Sequence, residues 1–274
     1  TAHQMPHFNR SLVCEALRSP SFAVRVAQPD IGGAFGQKAG LYPEDVLIPF
    51  AAHKLQRPVK WLEDKNEHFM ASSHSREQTF EAKLGLTEDG VITALNYSVV
   101  VDAGAYLTFP VVIPHLGFCH LLGPYRIPAI RAHIRSILTN KVTSAPYRGA
   151  GRPEAVFMLN RLMDLAAEKL DLDPAEIRRR NFIQPHEMPF ALDLPYRDGS
   201  PMVLDSGDYP KALEMTLDAI GYDRFREEQR EARKQGRYIG IGIACNIESG
   251  GIGPVESARV EIATDGSIGV FGGI

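Results

Sequence analysis

The chain has 274 residues, 44% of them hydrophobic and 23% charged, enough for one large or two medium domains with a sizeable core. No apolar run approaches the 18 or so residues of a membrane helix, and a net charge of −3 without a long block of either sign gives no basic surface for nucleic acid. Cys14, Cys119 and Cys245 are widely spaced and form no C-x-x-C pair, which argues against a disulfide framework and against an iron-sulfur or structural zinc site, and fits a reduced, cytoplasmic setting.

Thr1 opens the chain without a signal-peptide pattern and GVFGGI closes it. Both ends read as cut, so a piece of a longer protein is expected. Residues 8–17 (FNRSLVCEAL) carry helical apolar spacing, with Pro20 beyond as a stop. Residues 22–28 (FAVRVAQ) alternate like a short strand and lead into a glycine-rich loop, AQPDIGGAFGQKAG, at 27–40. Residues 42–56 predict a helix with Pro43 in its first turn and a kink or break at Pro49.

From 75 to 104 two alternating segments flank TEDG at 87–90, a hairpin signal. The Gly-, Pro- and aromatic-rich stretch 104–128 predicts long ordered loops, and IRAHIRSIL at 130–138 another strand. A second glycine loop, TSAPYRGAGRPEA at 143–155, enters an amphipathic helix that extends to 170. Further helices are expected at 174–181, with Asp173 as N-cap and Pro174 at the first helical position, and at 208–220 and 222–235. The Pro-rich segment 185–202 is the expected domain boundary; 237–248 and 256–271 read as strands, the latter about a TDG turn.

The first loop is not a dinucleotide fingerprint, because GGAFG spaces its glycines as G-G-x-x-G and no acidic ribose partner follows; nor is it a phosphate loop, because Lys38 lacks the G-K-[ST] order. A nucleotide-dependent dehydrogenase is therefore the weakest reading. The second loop combines glycines with Arg148 and Arg152 ahead of a helix N-terminus, a setting that suits an anion. The bland alternatives are a solvated residue for Gln4, a core anchor for Phe35 and a capping or ion-pair arginine for Arg148. The histidines, and Asp102, Glu154, Glu248 and Glu256, read as structural.

Taken together, HQMPH at 3–7, PDIGGAFGQK, PYRGAGRPEA and the closing GIGIA and VESARVEIATDGSIGVFGGI resemble the molybdenum-binding large subunit of the xanthine oxidase, aldehyde oxidase and carbon monoxide dehydrogenase family. The resemblance implies a mixed α/β (α+β) fold of the molybdopterin-binding type. Residues 1–190 would form a first lobe with glycine loops at 31–38 and 144–153, residues 191–236 a helical connection, and residues 237–274 the first strands of a truncated second lobe.

The resemblance further implies that Gln4 hydrogen-bonds the apical oxygen of the molybdenum and that Phe35 and Gly36 approach the metal. Gly32, Gly33 and Ala34 would offer backbone N–H groups to the cofactor, and Arg148, Gly149 and Ala150 would contact it. The metal is held by the pterin dithiolene, the cofactor being molybdopterin or its cytosine dinucleotide form, with no side-chain ligand. The 2Fe-2S clusters and FAD sit on partner domains or small and medium subunits. The family's base, a late glutamate, and its glycine-glutamine-glycine motif are not found in this sequence, so the chain alone is expected to be inactive.

Departures from the family pattern bear on the substrate. Ala39 and Leu116 stand where purine oxidisers carry a glutamate and an arginine, Gly149 where carbon monoxide oxidisers carry a copper-binding cysteine, and Ala150 where a ring-stacking phenylalanine is common. Ile243 or Ala244 falls near a second aromatic position. Such a pocket is expected to be roomy and apolar, suited to an aldehyde or an N-heterocycle rather than to xanthine or carbon monoxide. The competing expectation is a detached, cofactor-free module with a structural role.

Overall fold

A computed structural model describes residues 1–20, 23–109, 111–196, 198–249 and 258–272. Helix α1 (Pro6–Leu17) starts on a proline, whose missing N–H costs nothing there, and buries Asn9, Val13 and Cys14. The expected strand at 22–28 is not formed by its described part, 23–28. Its carbonyls are taken by other partners: Arg10 Nε donates to Val24 O at 2.9 Å and Thr1 N to Ala27 O at 3.1 Å.

Helix α2 (Pro43–Leu55) begins at Pro43 as expected but runs through Pro49 without a break. Pro49 withholds a single bond from the Asp45 carbonyl, and since α2 has no buried residue water can take its place. The short helix α3 (Lys65–Ala71) is held by a reciprocal cap, in which Asp64 accepts from Asn66 N and Glu67 N while Glu67 accepts from Asp64 N.

Strands β1 (Gln78–Leu86) and β2 (Ile92–Gly104) form the expected antiparallel hairpin, with the turn held by Val91 N donating to Thr87 Oγ1 at 2.9 Å. Strand β3 (Ile130–Leu138) pairs with β2 in parallel, which requires a crossover connection. That crossover contains a helix, α4 (Val112–Cys119), where loops were expected. Its buried residues, among them Ile113, Leu116 and Cys119, lie around most of its circumference, so no polar face marks it by period.

Along β2, Leu95, Tyr97, Val99 and Val101 alternate into the core, where they join Leu159 and Met163 of α5 (Arg152–Lys169). Helix α6 (Pro174–Asn181) is capped by Asp173, which accepts from Ala175 N at 2.8 Å. The proline-rich stretch then folds as a hairpin, β4 (Phe190–Pro195) with β5 (Pro201–Leu204), whose Leu192, Leu194, Met202 and Leu204 enter the same core.

Helices α7 (Tyr209–Ile220) and α8 (Tyr222–Lys234) follow, separated by Gly221 at φ +65°. The expected strand at 237–248 has no ladder partner. Instead Ile241, Ile243, Cys245 and Ile247 pack on the core in alternation, and side chains supply the bonds that a neighbouring strand would give. Asn160 accepts from Cys245 N at 3.0 Å and donates to Cys245 O at 3.2 Å, while Arg178 donates to Ile243 O at 2.6 Å. Strands β6 (Ala258–Ile262) and β7 (Ile268–Gly272) close on the expected TDG turn. Among the described residues no helix is long and apolar enough to cross a membrane.

Candidate functional site

The opening motif is folded onto the first glycine loop. His3 Nδ1 accepts from Met5 N at 3.2 Å, which fixes the proton on Nε2, and Nε2 donates to Gly40 O at 2.9 Å. Between those anchors Gln4 N donates to Lys38 O, and Gln4 Oε1 accepts from Gly36 N, both at 3.0 Å. Because Gly36 supplies a donor, the amide oxygen must face it, leaving the Gln4 NH₂ pointing elsewhere with no acceptor among the described residues.

The two glycine loops meet. A Cβ on Gly36, which holds φ +103°, would lie 2.5 Å from Pro146 O. In the second loop, Gly149 at φ +98° packs under Pro153, and Gly151 at φ +93° sits against Ile113 O of α4, leaving 2.0 Å for a Cβ. Phe35 and Ala150 also hold positive φ, +56° and +45°, where a side chain costs on the order of 1–3 kcal/mol. The strain lies within the two loops that touch. The Phe35 ring covers Gly33 and remains 57% exposed, which is not the environment of a core anchor.

Residues 73–76 strap one loop to the other. Tyr42 donates from its hydroxyl to Gln37 O at 3.1 Å and lies 2.7 Å from Ser73 Oγ. His74 bridges Ser144, with Ala145 N donating to His74 O at 2.8 Å. Arg76, itself at φ +69°, donates to Arg148 O at 2.6 Å and to Glu154 at 3.2 Å, and lies over the Tyr147 ring at 5.0 Å. The strap, Gln37 of the first loop and Ala145, Pro146 and Tyr147 of the second line an open pocket of about 270 Å³.

Behind the second loop, buried Arg152 reaches Glu248 at 2.9 Å, Ser249 Oγ at 3.1 Å and His120 Nε2 at 3.3 Å. His120 Nδ1 donates to Leu116 O at 2.9 Å, so Nε2 is the acceptor and the ring is neutral. Burial is the main force holding the His120 pKa below its ordinary value, and the Arg152 charge adds to it.

Backbone donors remain available. Among the described residues no protein acceptor takes the N–H of Gly32, Gly33, Ala34 or Phe35, nor that of Arg148 or Gly149, and Arg148 is exposed without an ion-pair partner. Free N–H groups on both of two touching loops, with an exposed cation on one of them, suit a ligand rich in acceptors and negative charge.

Residues 1–182 match the sequence model of a molybdopterin cofactor-binding domain, and residues 215–274 match a second model of the same description. The chain belongs to this molybdopterin cofactor-binding family, that of the molybdenum hydroxylase large subunits. It is 33% identical to the 6-hydroxypseudooxynicotine dehydrogenase complex subunit gamma of Paenarthrobacter nicotinovorans, over 96% of this chain and 33% of that one. It is 37% identical to the carbon monoxide dehydrogenase large chain of Hydrogenophaga pseudoflava, over 94% of this chain and 32% of that one. The crystal structure of quinoline 2-oxidoreductase from Pseudomonas putida 86 superposes with a TM-score of 0.90 at 35% identity, covering 98% of this chain and 36% of that one. The chain thus spans about a third of the length of these relatives.

The free donors fit the family's cofactor, whose pterin and phosphate groups are acceptors. Gln4, Gly36 and Ala39 are joined through the first loop, and Arg148, Gly149 and Ala150 lie together in the second, which meets α4 at Ile113 and Gly117, while Leu116 of α4 is buried with its carbonyl on His120. Ile243 is set differently: it packs on the core, with its carbonyl on Arg178. Glu248, read from sequence as structural, pairs with Arg152, and Glu256 lies outside the described residues. Nothing in the sequence marked Arg76 or Tyr42, and Arg152, expected beside Arg148 as a cation for an anionic ligand, is instead turned to Glu248 and Ser249 behind the loop.

Proposed function

We propose that this chain forms the cofactor-contacting face of a molybdenum-dependent hydroxylase, an oxidoreductase that inserts oxygen from water into an N-heterocycle or oxidises an aldehyde. Electrons leave to iron-sulfur and FAD partners on other domains or subunits. The observation that carries this reading is the meeting of the two glycine loops at Gly36 and Pro146, with unpaired N–H groups on both.

When bound, the molybdenum cofactor supplies the two-electron oxidation. The chain's own residues would hold it: Gln4 would offer its NH₂ beside Gly36, Phe35 an exposed aromatic wall, and Gly32, Gly33 and Ala34 their N–H groups. Across from them Arg148 supplies positive charge, and Gly149 and Ala150 allow close approach.

The expected pocket positions Ala39, Leu116 and Ala150 are small or aliphatic and give a polar purine nothing to pair with, while Ile243 packs on the core. Gly149 has no side chain to hold a second metal. Relatives named for quinoline and for nicotine 6-hydroxylation support an N-heterocycle ahead of an aldehyde.

Elemental analysis by mass spectrometry tests this on the full-length protein from a host that makes the cofactor, beside the 274-residue chain alone. Molybdenum near one per full-length protein supports the reading. Its absence there would sink it in favour of a cofactor-free structural module, and bound nicotinamide nucleotide would revive the dehydrogenase.

A further inference from the structure

Arg76 divides its guanidinium in an unusual way. A planar fork facing a carboxylate gains most by bonding both oxygens, yet Arg76 gives Glu154 only Nη1, at 3.2 Å, and turns Nη2 to the Arg148 carbonyl at 2.6 Å. Glu154 is 6% exposed at its side chain, and its other oxygen, Oε1, is buried with no partner among the described residues. Leaving a buried carboxylate oxygen unpaired is costly. The arrangement accepts that cost, together with a positive φ at Arg76 itself, and what it gains is a grip on the second loop.

The grip has a directional consequence. A trans peptide holds its C=O and N–H antiparallel, so fixing Arg148 O on Arg76 points the Gly149 N–H away from Arg76. That N–H has no protein acceptor among the described residues. Pro153 also packs on Gly149, 2.5 Å from where a Cβ would stand, and the Tyr147 ring lies under the guanidinium. The Arg148–Gly149 peptide is therefore fixed at its carbonyl and at Gly149, with its donor pointing away from Arg76.

We propose that Arg76 is a positioning residue: it sets the Arg148–Gly149 peptide plane so that the Gly149 N–H donates into the cofactor site. This rests on the reading that the two loops hold the molybdenum cofactor. A lysine at 76 keeps the charge near Glu154 but offers a single nitrogen in place of the planar fork, so it cannot hold the carboxylate and the carbonyl at the fork's fixed spacing and orientation. Glu154→Gln, by contrast, leaves the carbonyl contact in place.

The test is Arg76→Lys and Glu154→Gln in the full-length protein from a cofactor-making host. Molybdenum content, melting temperature, steady-state kinetics with an N-heterocycle, and the electron paramagnetic resonance spectrum of the half-reduced metal are measured. For Arg76→Lys the expected result is retained molybdenum, a shifted spectrum, and a kcat per molybdenum lowered on the order of tenfold to a hundredfold with little change in KM. Glu154→Gln should keep the wild-type spectrum. An Arg76→Lys protein with lowered melting temperature but wild-type spectrum and wild-type kcat per molybdenum overturns the proposal and leaves a structural arginine. If Arg76→Lys does not accumulate, Tyr147→Leu, which removes the ring beneath the guanidinium, decides by the same spectrum: a shift supports the proposal and none overturns it. Absence of molybdenum from the wild-type protein would instead overturn the functional reading on which the proposal rests.

Discussion

Gly36 and Pro146 lock the two glycine loops together: at φ +103°, Gly36 leaves only 2.5 Å between its missing Cβ and the Pro146 carbonyl oxygen. A backbone atom cannot swing aside as a side chain would. Gly36→Ala should therefore cost on the order of 1–3 kcal/mol in strain alone, with the clash added, and lower both melting temperature and molybdenum content. Gly32 is the control, since nothing lies within 4 Å of its added Cβ. Gly32→Ala should keep stability within about 0.5 kcal/mol of wild type while reducing molybdenum per protein. Unchanged molybdenum in Gly32→Ala would mean that no ligand approaches the backbone there.

Gln4 ties the first loop with its amide oxygen and keeps its NH₂ free. Gln4→Glu preserves the acceptor for Gly36 N but replaces two donors with negative charge, so folding should be near wild type while kcat falls on the order of a hundredfold. Gln4→Ala loses the tie as well and should lower stability by about 1 kcal/mol. Kinetics beside thermal unfolding separates the two, and a Gln4→Glu protein with full kcat would remove Gln4 from the site.

His120 is neutral in the fold because burial, with Arg152 beside it, disfavours the charged ring. The pKa is depressed below the ordinary 6.5, so the unfolded chain binds a proton that the native state refuses. Stability is then full above pH 6.5 and falls as pH drops toward the folded value. Protonation at Nε2 would also set an N–H against Arg152 Nε, 3.3 Å away. The loss of stability between pH 7.5 and 5.5 should be smaller in His120→Gln than in wild type, measured by urea unfolding at both values. Equal losses would show that His120 is not the titrating group.

Where the fold was legible, one local rule acted alone: the 87–90 turn gave the β1–β2 hairpin, and Asp173 with Pro174 gave the start of α6. It was illegible where tertiary contacts overrode local preference. Helix α4 looks like loop because Pro114 and Gly117 interrupt it, yet Gly117 is needed there, since a Cβ would meet Gly151 O at 2.8 Å. The run 237–248 alternates as a strand does, but its partners are the side chains of Asn160 and Arg178, which no period announces. The site divides in the same way. Glycines and Phe35 marked both loops, whereas Arg76 reaches the second loop from 72 residues away in sequence and carries no motif of its own.

The strand-like segment 241–249 depends on Asn160. Its side chain both accepts from Cys245 N and donates to Cys245 O, and the segment continues to Glu248 and Ser249, which hold Arg152 behind the second loop. Asn160→Ala leaves the Cys245 amide and carbonyl unpaired and should cost about 1–3 kcal/mol. Beyond the global loss, hydrogen exchange should rise most at 243–247, because the remaining anchor at Ile243 is the single bond from Arg178. With that segment loosened, Arg152 loses two of its partners and the second loop loses support from behind, so substrate turnover should fall more than molybdenum content. Exchange by mass spectrometry under native conditions checks the first step, and protection at Cys245 equal to wild type would show that packing of Ile241 and Ile247, not Asn160, holds the segment.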